Sequence, residues 1–123
     1  MYTAYTLTDE SRQMLMDKFP PKYSKVIAHH ITVEFGVPAD TEALPEADIR
    51  VIGEGDSGDG LQALVVSVNG STRRPDGKTY HITWSLEPEQ YKPVDSNEML
   101  ADGIKRWKLK LPIAIDTIPE VLK

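Results

Sequence analysis

The sequence contains no cysteine. That absence removes disulfides, thiolate metal sites and cysteine nucleophiles together. Histidine is scarce, with three in 123 residues. No apolar run approaches the roughly 20 residues of a membrane-spanning helix. The first residues show no basic stretch followed by an apolar one, so no secretory signal is expected. These absences make a soluble, cytoplasmic protein the expectation, with no membrane partner. What is present is ordinary globular composition, 40% hydrophobic and 27% charged. A chain of 123 residues suits one domain over 1–123, because two separate cores would each fall near the size where folding is marginal.

The net charge is -5, but it is unevenly spread. Residues 40–59 hold seven acids and one base, leaving 12 acids and 13 bases elsewhere. A solvated acidic loop and edge is the plain reading of that window. A long duplex nucleic acid is an unsuitable partner, since affinity there rests on many Lys and Arg contacts to phosphate. A small anionic ligand needs only a local convergence of positive groups.

Residues 8–19 read as a helix capped by Thr8, with Asp9 and Glu10 in its first turn and Pro20-Pro21 as its stop. Strands are expected over residues 25–35, 49–52, 61–68 and 79–86, and a last one over 107–117 that is an edge or bulged strand because of Pro112. Residues 40–47 suggest a helical turn, 53–60 an acidic loop, and 69–78 a long hairpin loop opened by Asn69-Gly70. Asp95 and Glu98 resemble a capping box for a helix over 95–102, with Gly103 at its C′ position. The pattern is α+β with a mainly antiparallel sheet.

Two of these strands carry the same signature. His30-Ile31-Thr32-Val33 and His81-Ile82-Thr83-Trp84 both read His-x-Thr-hydrophobic. Side chains alternate along a strand, so His and Thr share one face in each, opposite the apolar positions. Bulk composition yields roughly 0.2 such triplets by chance. Two matched copies therefore point to chemistry. Breaking a phosphodiester through a neighbouring hydroxyl, or opening a cyclic phosphate with water, needs one group to take a proton and another to give one. Imidazole suits both tasks near neutral pH, and Thr hydroxyls can donate to the phosphate oxygens where charge accumulates. No cofactor or metal is required for this scheme.

With these motifs the chain resembles the 2H phosphoesterase superfamily. Residues 25–36 (KVIAHHITVEFG) and 92–97 (KPVDSN) are similar to its small "Swiss army knife" RNA-repair branch, to the cyclic phosphodiesterase part of tRNA ligases, and to phage anti-CBASS nucleases that cleave cyclic oligonucleotide messengers. The resemblance covers most of residues 5–104, and the two tetrapeptides are its specific part. It implies a bilobal fold with pseudo-two-fold symmetry, each lobe bringing one His-x-Thr to a shared cleft. It also implies metal-independent phosphodiesterase activity, with His30 and His81 as the acid–base pair and Thr32 and Thr83 as phosphate-oxygen donors. Cyclic oligonucleotide signals are the leading substrate expectation. RNA ends bearing a 2′,3′-cyclic phosphate are the alternative, and a nucleotide-binding module without catalysis is the non-enzymatic one.

Further candidates have two readings each. Arg73, Arg74 and Lys78 either fold over the cleft to bind phosphate or form a solvated hairpin tip. Ser96, with Asn97, either meets an anion at the start of the second helix or simply caps it. Among the aromatic residues Tyr2, Tyr5, Tyr23 and Trp84, Tyr5 is the expected stacking residue, while Trp84 and Trp107 are expected in the core. His29 should point to the core side. A zinc site from His29 or His30 with Glu34 has too few ligands.

Overall fold

The computed structural model describes residues 1–102 and 106–123. In chain order these form β1 (Tyr2–Leu7), α1 (Asp9–Lys18), β2 (Lys25–Val26), β3 (His30–Phe35), β4 (Ile49–Asp56), β5 (Leu61–Val68), β6 (His81–Leu86), α2 (Asp95–Asp102), β7 (Arg106–Ile115) and β8 (Thr117–Leu122). The α+β class with antiparallel sheets is as expected. Two sheets form, a three-stranded one ordered β3-β1-β8 and a five-stranded one ordered β2-β6-β5-β4-β7. Among the described residues no helix is long and apolar enough to cross a membrane.

α1 follows the capping logic closely. The Thr8 hydroxyl accepts the Ser11 N–H at 3.2 Å, and acids occupy the first turn. Leu15, from α1, is fully buried with Ile31, Ile49, Leu64, Ile82 and Trp84 in the main core. The Trp84 indole N–H donates to the Phe19 carbonyl at 2.7 Å, so this large side chain is buried without an orphaned polar group. The opposite face of the large sheet is covered at Ala63 and Val65 by Leu100 of α2.

The strand expected over 25–35 is divided, and the division creates the architecture. The Ile27 and Ala28 N–H groups donate to Trp84 and Thr83 carbonyls of β6 at 2.9 and 3.0 Å. One residue later the His29 carbonyl accepts from Leu7 of β1. The backbone thus leaves the large sheet and joins the small one, turning at Ala28 with φ +41. A single non-Gly residue in this left-handed region carries strain, and the surrounding hydrogen bonds hold it there.

Other expectations are corrected. β1 and β8 lie in segments not assigned to strands, and they pair with each other. β4 continues to Asp56, taking in half of the expected acidic loop. Residues 41–48 are irregular and contain no helical turn. β7, by contrast, is the edge strand expected, and its pairing with β4 jumps from Ile113 to Lys108, a bulge around Pro112. Gly103 lies outside the described residues. Trp107 is 57% exposed rather than in the core.

Ala28 is fully buried at the turn between sheets. Ala28→Val adds a branched side chain where φ is positive and no space exists. It should destabilise the fold by about 2–3 kcal/mol, measured by urea denaturation.

Candidate active site

Both motif histidines are the first residues of their strands, His30 of β3 and His81 of β6. Because β3 belongs to the small sheet and β6 to the large one, the cleft between them is lined from both sides. A hollow of about 410 Å³ has His30, Thr32, His81 and Thr83 in its walls, together with Arg74 and Lys92. The structure therefore brings all four motif residues together, from sequence positions some 50 residues apart.

Each imidazole is held at Nδ1. In His81 that nitrogen lies 2.8 Å from the Thr79 carbonyl oxygen. A carbonyl only accepts, so Nδ1 carries the proton, and neutral His81 keeps a free lone pair on Nε2. In His30, Nδ1 lies 3.0 Å from Nδ1 of His29. His29 is exposed and does not point to the core, as strand alternation had suggested, because it precedes β3 in the turn between sheets. Either nitrogen of that pair can donate, so His30 can present a proton on Nε2 as neutral His81 cannot.

Both histidines are held below their ordinary range. His30 falls to about 4, first through burial and then through the charges of His29 and His81. His81 is lowered mainly by burial, with a smaller push from Arg74, while its bond to Thr79 opposes the shift. Both imidazoles are thus neutral at neutral pH, and an anion beside them would raise both.

The Thr83 hydroxyl donates to the Pro93 carbonyl at 3.2 Å and lies 3.0 Å from the fully buried Ser96 hydroxyl. Ser96 stands behind Thr83 and orients it, outside the residues that line the cleft. Thr32 makes no side-chain hydrogen bond among the described residues and is the readier donor.

The hairpin cations divide. Arg74 is 2% exposed, lines the cleft, and makes a two-pronged pair with Asp76 at 3.1 and 2.6 Å. That pair holds the Asp76 carboxyl down to about 2. Arg73 and Lys78 are exposed and do not line the cleft.

Tyr5 is corrected. It pairs with Ile31 on the core face, and its hydroxyl donates to the Pro45 carbonyl at 2.9 Å. Tyr2 lines the cleft instead, its ring 5.4 Å from that of His30. Phe35 joins it, although alternation from Ile31 would send Phe35 to the core. Thr32 pairs with Ala4 and Glu34 with Thr3, so Val33 is an extra residue in β3, and that bulge reverses the facing beyond it. Phe35 is consequently 56% exposed, with the Arg74 guanidinium 5.5 Å from its ring centre. Lys92 was legible only as part of the 92–97 segment. Among the described residues no three His, Asp or Glu side chains are grouped to hold a metal ion.

His30 also makes the fold sensitive to acid. Its pKa is depressed on folding, so the unfolded chain binds more protons between about pH 4 and 6.5. This group's stabilisation is present above pH 6.5 and lost as pH falls through 4, by at most about 1.4 kcal/mol per pH unit. Urea denaturation across that range should show the decline, and His30→Gln should flatten it.

Compared with family models, curated proteins and solved structures, the chain finds no significant match in any of the three.

Proposed function

We propose that the protein is a 2H-type phosphodiesterase that cleaves a small nucleotide ligand by two-histidine acid–base catalysis without a metal. The carrying observation is that two His-x-Thr pairs, from strands in different sheets, line one cleft. In this reading the two sheets are the two lobes of a 2H phosphoesterase fold, related by pseudo-two-fold symmetry. The cleft is of a size that takes one or two nucleotide units at a time and not a long duplex. Cyclic oligonucleotide signals, as for phage anti-CBASS nucleases, are the preferred substrate. RNA ends carrying a 2′,3′-cyclic phosphate are the second.

The contact at Nδ1 of His81 supports the following roles. Neutral His81 takes the proton of a ribose 2′-hydroxyl on Nε2 while that oxygen bonds to phosphorus. The bond from phosphorus to the 5′-oxygen breaks, and protonated His30 gives that oxygen its Nε2 proton. A 2′,3′-cyclic phosphate and a 5′-hydroxyl result. Hydrolysis of the cyclic phosphate reverses the roles, with His30 taking a proton from water. Thr32 and Thr83 donate to the non-bridging oxygens, for which Thr83 must turn from Pro93. His29 accepts from Nδ1–H of charged His30 and so orients the acid.

The test is turnover of 2′,3′-cyclic nucleotides, short RNAs and cyclic oligonucleotides in excess EDTA. His30→Ala and His81→Ala should each lower kcat/KM by about 10²–10⁴-fold, and Thr32→Val by about 10²-fold. The pH optimum of kcat/KM should lie below 6.5, since both free imidazoles are depressed, and that of kcat should lie higher, since the bound phosphate raises them. Loss of turnover in EDTA, or its survival in both histidine variants, overturns the mechanism. Binding without turnover favours a nucleotide-holding module.

A further inference from the structure

Aromatic rings are unevenly placed in the walls of the cleft. Besides the two histidines, Tyr2 and Phe35 are the aromatic residues that line it. Alternation along β1 puts Tyr2, Ala4 and Thr6 on one face of the small sheet. Their partners Phe35, Thr32 and His30 share that face, because directly paired residues point to one side. The Tyr2 ring lies 5.4 Å from that of His30 and 5.5 Å from that of Phe35. The three rings therefore make a row that starts at His30 and runs towards the far end of β3.

The His81 side of the cleft is different. Among the described residues neither Tyr2 nor Phe35 stacks on His81. Thr83, two positions after His81, meets Pro93, and the walls at that end are Ile27, Pro93 and Val94. They are apolar but carry no aromatic face.

Tyr2 and Phe35 belong to neither core cluster. Phe35 is 56% exposed and Tyr2 is half-buried, so both present ring surface to a ligand. The Arg74 guanidinium, gripped by Asp76, packs against Phe35 from the hairpin between β5 and β6. The ledge is thus backed from the large sheet while its rings stay open to the cleft.

In the proposed cleavage, the attacking and leaving oxygens lie on opposite sides of phosphorus. The 2′-oxygen of one nucleoside faces His81, and the 5′-oxygen of the other faces His30. A single ribose joins that 5′-oxygen to its base, which carries the base from His30 onto Tyr2 and Phe35. We infer that Tyr2 and Phe35 form the subsite for the base of the leaving nucleoside. The substrate class is therefore an internucleotide linkage with a base on its 5′-oxygen side. An end already closed as a 2′,3′-cyclic phosphate has no such nucleoside and leaves the ledge unused. This inference rests on the phosphodiesterase reading and on the roles given there to His30 and His81.

Two diesters that differ only in the leaving group test it. One is the 3′–5′ dinucleotide ApA, and the other is adenosine 3′-(methyl phosphate), which releases methanol. The full chain should prefer ApA in kcat/KM by about tenfold, the worth of one stacked base. Tyr2→Leu and Phe35→Leu should each reduce that preference severalfold, whereas Tyr2→Phe, which keeps the ring, should retain it. Binding is read separately from cleavage. The chain has two phenylalanines, so with ring-labelled phenylalanine the NMR signals missing from Phe35→Leu are those of Phe35. They should move upfield on titration with the deoxy form of ApA, which lacks the 2′-hydroxyl and is not cleaved. The deoxy form of the methyl ester should not move them. Equal kcat/KM for the two diesters without an upfield shift overturns the subsite and leaves the catalytic reading intact. A preference that survives both leucine variants overturns it as well. An upfield shift specific to the dinucleotide, with no turnover of either diester, supports the subsite as a base-binding ledge and overturns the catalytic reading. Equal shifts with both deoxy ligands overturn the assignment to the leaving nucleoside, because the base they share is then the one that stacks.

Discussion

Between Ala28 and His30 the backbone exchanges one hydrogen-bonding partner for another, and the cleft exists because of that exchange. While Ile27 and Ala28 bond to β6, the chain extends the large sheet. Once past the turn it lies on β1, and its next side chains are directed from the small sheet. Had the strand run on without the left-handed residue, His30 and His81 would belong to one continuous sheet. They would then have no cleft between them. The cost of a positive φ at a buried alanine is repaid by backbone bonds on both sides, within a core dominated by Trp84 and its neighbours.

On the proposed function, the cleft would receive an anion that supplies its own contribution to the electrostatics. Buried imidazoles without a counter-charge stay neutral, and the buried guanidinium of Arg74 is compensated locally by Asp76. In the proposed reaction an arriving phosphate would meet donors and neutral rings rather than a dense positive field. Its own charge would then create the imidazolium that the leaving oxygen needs. The tautomers open to each ring are governed by its contact at Nδ1, with the Thr79 carbonyl for His81 and the His29 ring for His30.

The motif tetrapeptides were legible because strand periodicity is local: His and Thr two apart must share a face wherever the strand goes. The first helix was legible for the same reason, since Thr8 and its first turn act on neighbouring backbone groups. What escaped depends on pairing. β1 and β8 are defined by each other across almost the whole sequence, and β8 contains Pro119. The bulge at Val33 that turns Phe35 into the cleft is visible only in register with β1. Tyr2, and not Tyr5, of the stacking candidates reaches the cleft because a strand, not a loose N-terminal segment, carries them. The acidic window looked like one solvated stretch, yet residues 49–56 of it alternate in a strand, which sorts carboxylates to one face and glycines to the other.

β7 and β8 are separated by Asp116 alone, whose N–H donates to Ser11 of α1 and whose carbonyl accepts from Thr8. Here too the chain passes from the large sheet to the small one. The chain crosses between the sheets four times, through α1, at Ala28, through residues 36–48 and at Asp116. In mechanical terms the two short crossings are pins and the two longer ones are straps, and one core fills the space between the bodies they join. The spacing of the two histidines is therefore set by the same packing that stabilises the fold.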